Sequence, residues 1–350
     1  MTASTVPEVP PGAPEPVGRP AAVFALLSEY ASALDKVRAS GRTVGFVPTM
    51  GALHAGHQAL VRRAASECDV VAVSIFVNPL QFGDPDDLER YPRLPDEDVQ
   101  AAGEAGATFV LMPEVSEMFP SFPAPVPTAV TVSGLADRWE GAARPGHFSG
   151  VATVVAKLFA VTGRCRAYFG EKDYQQLAVV RRMAADLSFP VEVVGCTTVR
   201  DEDGLALSSR NVRLGAEERR AAAVLPQALA AGARAIAEGE YRPSMVEALM
   251  SQVVGEEPAV ELDYAVVVDG NDLAPAISLR PDRPLRLLIA AHVGGVRLID
   301  NIDPAAGTRG IPPPRRSVTY SATPINPTQP VMVHRSRPGP APADDPTKGK

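Results

Sequence analysis

Residues 43–57 of the chain read TVGFVPTMGALHAGH and join a β-like apolar run, Thr43–Val47, to a helix-like run, His57–Ser66. Two histidines, His54 and His57, lie three residues apart at this strand-to-helix turn. A helix N-terminus offers unpaired backbone N–H groups and partial positive charge, and an imidazole can donate a hydrogen bond without fixed charge. The stretch therefore predicts a phosphate-binding turn beyond the carboxyl end of a parallel strand. The alternative is that both histidines only cap the helix.

Apolar runs alternate with amphipathic helical patterns up to Cys196, as is typical of a parallel α/β sheet. The expected strands are Thr43–Val47, Val70–Val77, Thr108–Met112, Ala167–Phe169 and Val191–Cys196. The expected helices are Val23–Ser40, His57–Ser66, Asp96–Ala105, Gly150–Val161 and Tyr174–Leu187. No GxGxxG follows a strand, which disfavours dinucleotide binding of the dehydrogenase kind. We expect residues 21–198 to form a Rossmann-like, doubly wound parallel sheet.

The pattern changes after Cys196 and predicts a smaller C-terminal α+β domain over residues 199–303, with a boundary near Thr198. Its expected elements are a hairpin over residues 197–207, the helices Ala216–Glu238 and Ser244–Val254, and the strands Leu262–Val268, Leu285–Ala291 and Val296–Ile299. We expect this domain to close over a nucleotide bound by the first.

Composition limits the classes of function. The formal net charge of −7 disfavours non-specific nucleic-acid binding, which needs a basic surface. No apolar run approaches the ~20 residues of a membrane span, and the N-terminus lacks the basic segment and apolar core of a signal peptide. We therefore expect a cytoplasmic protein with no membrane partner. Residues 1–20 and 304–350 are rich in proline and are expected to be disordered, because they cannot bury enough apolar surface.

We call the turn that carries His54 and His57 the HxGH turn. Five further blocks of sequence follow it and carry polar side chains suited to small ligands. They read SIFVNPLQFG (74–83), RYPR (90–93), RPGHFSGV (144–151), FGEKDYQQ (169–176) and LSSRN (207–211). Together with the HxGH turn, they resemble the pantothenate synthetase family of the HxGH nucleotidyltransferase superfamily, from about residue 24 to about residue 302. One departure is Leu207, where the family usually has methionine; the exchange keeps a similar apolar volume.

The resemblance implies an ATP-dependent ligase that condenses pantoate with β-alanine. The pantoate carboxylate attacks the α-phosphate of ATP to give pantoyl adenylate and pyrophosphate, and the β-alanine amine then gives pantothenate, on the route to coenzyme A, and AMP. Such a site must neutralise triphosphate charge, align the carboxylate and keep water from the mixed anhydride. The resemblance also implies a homodimer. Mg²⁺ is expected, held mainly by phosphate oxygens, and no protein ligands are assigned to it.

The candidate site residues lie within these blocks. The catalytic candidates, all able to contact phosphate oxygens, are His54, His57, Lys172, Ser208, Ser209 and Arg210. As further ATP-binding residues the resemblance implies Met50, Gly51, Gly170, Asp173, Val199 and Leu207. The candidates for binding pantoate and β-alanine are Gln81, Gln176, Met50, Pro48, Asn78 and Tyr91. The two glutamines offer both donors and acceptors for a carboxylate and hydroxyls.

Several of these residues also have a purely structural interpretation. Lys172 can form a surface ion pair with Glu171 or Asp173. Asp173 can cap the helix that begins at Tyr174, or it can accept hydrogen bonds from the adenosine ribose. His147 can support the pocket or can be a core histidine with its hydrogen bonds satisfied.

Two acidic features are also left open. Glu97 and Asp98 are candidate Mg²⁺ ligands, but acidic residues also stabilise a helix N-terminus. Glu140 can help receive β-alanine or can lie near a metal.

Two other functions remain to be distinguished from the ligase. A nucleotidyltransferase of the same superfamily would release a stable dinucleotide, and β-alanine would not consume its product. A catalytically silent scaffold acting through the proline-rich tail would bind ATP without releasing pyrophosphate. The glutamine-bearing blocks favour the ligase, because they supply a small-acid pocket beside the nucleotide.

Overall fold

The first sheet is parallel and rich in valine, which suits strands that are covered on both faces. The structure, a computed structural model, describes residues 21–280, 283–308 and 310–312. The strands of this sheet are β1 (Ala22–Phe24), β2 (Val44–Thr49), β3 (Val70–Ile75), β4 (Phe109–Leu111), β5 (Cys165–Gly170) and β6 (Val191–Cys196). Their spatial order is β1-β4-β3-β2-β5-β6, and all neighbours are parallel. The winding reverses between β2 and β5, so the carboxyl ends of these two strands border the crevice where such sheets bind ligands.

Helices from the first part of the chain pack on both faces of this sheet. The α-helices of the described residues are α1 (Leu27–Ala39), α2 (Ala55–Glu67), α3 (Pro85–Glu89), α4 (Pro95–Glu104), α5 (Val115–Met118), α6 (Glu140–Ala143), α7 (His147–Thr162), α8 (Tyr174–Asp186), α9 (Ala216–Ala222), α10 (Val224–Ala237) and α11 (Pro243–Gly255). The last three of these belong to the core of the second sheet, described below. Side chains alternate along β2: Phe46 packs in one core with Leu34 and Phe159, whereas Val47 packs in another with Val61. Because both faces of β2 are packed, the turn that follows it starts from a rigid support.

A second, antiparallel sheet follows in the chain. Its strands are β7 (Val260–Asp269), β8 (Leu285–Val293) and β9 (Val296–Ile302). β8 and β9 are joined by Gly294 and Gly295, whose φ angles of +54° and +75° suit glycine in a tight hairpin. α10 and α11 contribute Leu229 and Met250 to a core shared with Ile289 of β8. The predicted α/β class, with a smaller α+β part at the C-terminal side, is confirmed.

The expected strand Val191–Cys196 has the bounds of β6, and the other predicted strands differ from the observed ones by a few residues at their ends. The prediction that Val23 begins a helix is wrong. Ala22–Phe24 pairs with Phe109–Leu111 as an edge strand, and the helix begins at Leu27. A segment of three residues is too short to show the alternation of apolar and polar side chains that indicates a strand.

One further expectation needs correction after β6. The single helix expected over residues 216–238 is the pair α9 and α10; Pro226 lies in the first turn of α10, where its missing N–H is tolerated.

The hairpin expected over residues 197–207 is present, with very short arms. An antiparallel bridge joins Arg200 and Ala206, the backbone N–H of Leu207 donates to the oxygen of Val199 (3.0 Å), and Gly204 turns the chain with φ +86°.

The described residues belong to one compact unit. They extend past residue 303, where the expected disordered tail begins: Pro304–Ala306 forms a 3-10 turn, and Ile311 packs against the core of the second sheet. The disorder predicted for residues 1–20 and for residues 313–350 lies outside the described residues. Within the described ranges no helix is long and apolar enough to cross a membrane.

Candidate active site

The turn after β2 is held by its own two histidines. His54 precedes α2, and its Nδ1 accepts a hydrogen bond from the backbone N–H of Gly56 (3.1 Å). His57 Nδ1 accepts one from the backbone N–H of His54 (3.4 Å), and the two ring centroids are 4.1 Å apart. Because each Nδ1 is an acceptor, the proton of each neutral ring lies on Nε2, which can donate to a ligand. Helix capping and ligand binding are therefore compatible roles.

Both rings are uncharged near neutral pH. Burial lowers the pKa of His57 to about 3, and the neighbouring His54 acts in the same direction. Burial also lowers the pKa of His54, aided by the positive charge of Lys172. The histidines can thus hydrogen-bond to phosphate oxygens, but the positive charge that a triphosphate requires must come from other side chains.

Asp98, on α4, fixes the backbone of the same turn. Its Oδ2 accepts a hydrogen bond from the N–H of Ala52 (2.9 Å), and its Oδ1 accepts one from the N–H of Leu53 (2.7 Å). Gly51 has φ +84°, and a Cβ there would lie 2.8 Å from Asp98 Oδ2, so glycine is required. Both carboxylate oxygens are committed to the turn, and Asp98 does not fit its candidate role as a Mg²⁺ ligand.

An Asp98→Asn substitution is expected to lower the free energy of unfolding by about 1–3 kcal/mol, because the new amide NH₂ would face one of the two backbone N–H groups and leave it unpaired. Urea denaturation measures the change. The matched control is Asp96→Asn, an exposed residue in the same first turn of α4, with an expected change within about 0.5 kcal/mol. Equal losses in the two variants would mean that Asp98 acts only on the helix dipole.

A second turn follows β5. Residues Glu171–Asp173 form a 3-10 turn that leads into α8. Lys172 Nζ lies 3.4 Å from Asp173 Oδ1, and the lysine side chain is 17% exposed. Glu171 pairs instead with Arg286 of the second sheet at 2.9 Å. The ion pair considered from the sequence thus exists with Asp173, but both partners line a cavity, where a ligand can reach the ammonium.

Asp173 precedes α8, but its side chain makes no capping hydrogen bond, so the helix-capping interpretation is wrong. Partial desolvation of the carboxylate in the cavity tends to raise the pKa of Asp173, but the charges of Lys172 and Arg210 outweigh it and hold that pKa below its usual value. The carboxylate is ionised near neutral pH and can accept hydrogen bonds from hydroxyl groups.

The Ser-Ser-Arg segment, residues 208–210, opens a short 3-10 helix. Ser208 Oγ accepts a hydrogen bond from the N–H of Arg210 (3.2 Å), which leaves its O–H able to donate to a ligand. The loop before it is tied to β9 by Arg200, whose guanidinium binds both carboxylate oxygens of Asp300 at 2.6 and 3.0 Å. This ion pair is buried, so it attaches the segment firmly to the second sheet.

The three segments meet at one cavity of about 220 Å³ by the carboxyl ends of β2 and β5. The candidates that line it are Pro48, Met50, His54, His57, Gln81, Tyr91, Gly170, Lys172, Asp173, Gln176, Val199, Leu207, Ser208, Ser209 and Arg210. Gly51 and Asn78 are not among the lining residues. A second cavity of about 260 Å³ shares part of this wall, including Lys172, Gln176 and Arg210. Candidates from separate blocks of sequence thus converge on one place.

A family model described as Pantoate-beta-alanine ligase matches residues 22–303. The chain belongs to this family. Pantothenate synthetase of Deinococcus radiodurans is 54% identical over 269 residues, which cover 75% of this chain and 94% of the relative. Pantothenate synthetase of Rhizobium etli is 47% identical over 279 residues, which cover 80% and 92%. The resemblance inferred from the motifs and the ligase activity it implies, the joining of pantoate to β-alanine, are confirmed.

Solved structures of ligases in the family have the same fold. The pantothenate synthetase of Thermus thermophilus superposes with a TM-score of 0.75 at 46% identity, covering 81% of this chain and 99% of that one. The pantoate-beta-alanine ligase of Francisella tularensis superposes with a TM-score of 0.64 at 30% identity, covering 82% and 99%. That structure is described as a complex with beta-gamma ATP and beta-alanine.

In this ligase, Asn78 supports a pocket residue from behind. Its Nδ2 donates to Gln81 Oε1 (2.9 Å) and to the backbone oxygen of Gly150 (3.0 Å). Asn78 and Gln81 are both buried. Because Oε1 of Gln81 accepts this hydrogen bond, the amide is held in one orientation, in which Nε2 is its donor group. Asn78 therefore orients Gln81 and does not itself line the cavity.

His147 supports Gln81 as well, by a side-chain hydrogen bond to the backbone of that glutamine. Its Nδ1 donates to the backbone oxygen of Gln81 (3.0 Å), and its Nε2 accepts from Arg144 (3.2 Å). Burial, with the positive charge of Arg144, lowers the pKa of His147 to about 4. Both nitrogens are satisfied, and His147 also lines the second cavity. These contacts are compatible with both interpretations of this histidine.

The ligase is expected to lose stability as the pH falls below 6.5. His57 and His147 have folded-state pKa values of about 3 and about 4, below the ordinary 6.5, so the unfolded chain binds more protons in this range. The stability that these two histidines contribute by staying neutral is fully present above pH 6.5. Below that pH, the free energy of unfolding falls by at most about 1.4 kcal/mol per pH unit for each group. Urea denaturation at several pH values measures the slope.

The His147→Gln variant should show a shallower slope between pH 6.5 and pH 5 than the parent, whereas His292→Gln, at an exposed position on β8, should not. A parent whose unfolding free energy is constant over that interval would contradict the assignment of neutral buried histidines.

Sequence reasoning missed polar residues on the second sheet that contact the site. Arg286 and Asn301 are buried and bind the turn that carries Lys172. The signal that could have found them is their type, because charged and amide side chains interrupt otherwise apolar strands there. The sequence did not indicate their hydrogen-bond partners, because those partners lie far away along the chain.

Glu140 has its own partners. Its carboxylate accepts two hydrogen bonds from Arg297 (both 2.7 Å) and one from the hydroxyl of Tyr264 (2.9 Å). Among the described residues, no group of three or more His, Cys, Asp or Glu side chains is arranged to hold a metal ion. The suggestion that Glu140 lies near a metal finds no support in its contacts.

Proposed function

We propose that the cavity between the HxGH turn, the Lys172 turn and the Ser-Ser-Arg segment is where this ligase forms pantoyl adenylate from pantoate and ATP. The observation that supports this most directly is the convergence of neutral donors, a lysine, an arginine and two glutamines on one cavity. Neutral donors suit phosphate oxygens, cations suit the charge of a triphosphate, and amides suit a hydroxy acid.

In the first step, the pantoate carboxylate attacks the α-phosphorus and pyrophosphate leaves. His54 and His57 donate from Nε2 to phosphate oxygens, and Lys172 follows the charge that develops on the α-phosphate. Ser208, Ser209 and Arg210 bind the β- and γ-phosphates, where two hydroxyls and a guanidinium can surround the leaving group. Preorganised donors of this kind stabilise the transition state because they need no reorientation.

The other candidates bind the nucleoside and the acid. Asp173, Gly170 and Val199 contact the adenosine, with the ionised Asp173 accepting from ribose hydroxyls, and Met50 and Leu207 complete the ATP site. Gly51 acts through the turn that carries the histidines. Gln81 and Gln176 bind the carboxylate and hydroxyls of pantoate, while Pro48 and Met50 contact its methyl groups and Tyr91 lies at the cavity wall. Asn78 acts through Gln81.

In the second step, the neutral amine of β-alanine attacks the acyl carbon, the bond from that carbon to the AMP oxygen breaks with its electron pair on AMP, and the nitrogen releases a proton to solvent. The second cavity supports a route for this amine, because it shares Lys172 and Gln176 with the first and is lined by Arg144, which can pair with a carboxylate. Closure of residues 199–303 over ATP would keep water from the mixed anhydride.

Mg²⁺ belongs to this proposal as part of the ATP substrate, bound mainly by phosphate oxygens and water. The side chains considered for it do not form a ligand set, because Asp98 is committed to the turn and Glu97 is exposed. We further propose that the ligase is a cytoplasmic homodimer, as the family resemblance implies, and that nucleic acids and membranes are not its partners.

The test is pantoate-dependent exchange of pyrophosphate into ATP, measured without β-alanine. Exchange that requires pantoate would establish the acyl-adenylate half-reaction. Binding of ATP without exchange would contradict the proposal, and an exchange driven equally well by other small acids would contradict the assigned pantoate pocket.

A further inference from the structure

Asn301, on β9, uses every polar atom of its side chain. Its Nδ2 donates to the backbone oxygens of Glu171 (2.9 Å) and Lys172 (2.8 Å). Its Oδ1 accepts from Nε of Arg286 (2.7 Å). The residue is 4% exposed, so these bonds form away from water, where an unmet partner is costly. One amide of the second sheet thus binds two successive carbonyls of the turn that follows β5.

Arg286 completes the attachment. Its terminal NH₂ donates to the carboxylate of Glu171 (2.9 Å), and its guanidinium lies 4.0 Å from the centroid of the Tyr174 ring. The turn is therefore held on both sides of Lys172, at residue 171 and at residue 174. A planar guanidinium suits this arrangement, since it can hydrogen-bond at its edge and stack on its face.

These contacts hold the backbone from which the Lys172 side chain extends. Carbonyls fixed by Asn301 restrict the backbone dihedrals of the turn, and the side chain extends from that backbone into the cavity wall. We infer that Asn301 is a positioning residue, which holds the Lys172 turn from the second sheet so that the ammonium meets the developing phosphate charge. This inference rests on the role proposed for Lys172.

The test is Asn301→Asp, a nearly isosteric change that keeps an acceptor for Arg286 but removes both N–H donors. The expected result is a loss of about tenfold or more in the maximal rate of pantoate-dependent exchange, because small misplacements of a catalytic group are costly. The KM for pantoate should stay within about twofold, since Gln81 and Gln176 are not part of the Asn301 network. Asn301→Ala replaces this variant if the aspartate does not fold.

The matched control is Tyr30→Phe. It removes a buried hydrogen bond between the tyrosine hydroxyl and Thr162 Oγ1 (3.2 Å), at a residue that lines neither cavity. Its maximal rate should stay within about twofold of the parent, although its melting temperature falls. Equal rate losses in the two variants, an unchanged rate in Asn301→Asp, or a parallel rise in the KM for pantoate would each overturn the inference.

The Lys172→Ala variant in the same assay distinguishes the catalytic role of Lys172 from the positioning role of Asn301. If that variant exchanges normally, the role of Lys172 fails and the inference fails with it. If Lys172→Ala is impaired while Asn301→Asp is not, only the positioning role is wrong.

Discussion

Replacing Lys172 with alanine is expected to slow pantoate-dependent ATP–pyrophosphate exchange by about two to three orders of magnitude. Loss of one preorganised donor from a site that stabilises developing charge costs ~3–4 kcal/mol in comparable enzymes. The histidines beside it are neutral and cannot take over its charge. The loss should appear in the maximal rate at saturating pantoate and ATP, because the interaction strengthens as charge builds on the phosphate.

The folded state should tolerate this change. Within the described part of the chain, Lys172 makes one ion pair, with Asp173, whose side chain is half exposed, and such pairs contribute little to stability. Lys36→Ala, at an exposed position on α1, is the control for loss of one positive charge. A Lys172→Ala enzyme with the parent rate at saturating substrates would rule out the assigned role, whereas a loss shared by Lys36→Ala would point to net charge instead.

The second large effect is expected for His57→Ala, which should lower the same exchange rate by about two orders of magnitude. The substitution removes the Nε2–H donor and also the Nδ1 acceptor for the backbone N–H of His54. His57→Asn restores a side-chain acceptor at the helix start but not the ring. It should therefore recover stability more than rate, and the difference between the two variants separates capping from catalysis.

The rate of the parent should not follow the titration of His57 between pH 6 and pH 9, because burial holds the pKa of this ring at about 3. His292→Ala, at an exposed position on β8, is the control and should keep the parent rate. Two findings would contradict the assignment: a bell-shaped profile in the parent that disappears in His57→Asn, or full activity in His57→Ala.

Much of the central sheet was predictable because its strands are buried on both faces. The run Val70–Val77 is apolar apart from Ser74 and ends before Asn78, so the position of the strand follows from composition, although the observed strand ends at Ile75. The edge strand Ala22–Phe24 was not predictable, since three residues give no period and its stabilisation comes from Phe109–Leu111, far along the chain. Local sequence patterns indicate which residues are buried, but they do not indicate which distant segment a strand pairs with.

The candidate site residues could be predicted from the sequence for a different reason. The HxGH turn and the blocks around Gln81 and Lys172 are contiguous motifs, and their chemistry is readable from residue type and spacing. What sequence could not supply is the support behind them: Asp98 under the HxGH turn, Asn78 behind Gln81, and Asn301 behind Lys172. Each of these contacts depends on the folded chain, which alone brings the supporting groups together.

The pairing of β2 with β5, seen between Gly45 and Arg166, has a consequence for how the enzyme is made. A ribosome releases the HxGH turn long before β5 emerges, and β9 with Asn301 is the last strand of the described residues. A nascent or truncated chain that lacks β9 therefore carries the histidines but not an anchored Lys172. On the role proposed for Lys172, such a fragment should form the adenylate more slowly than the chain that includes β9.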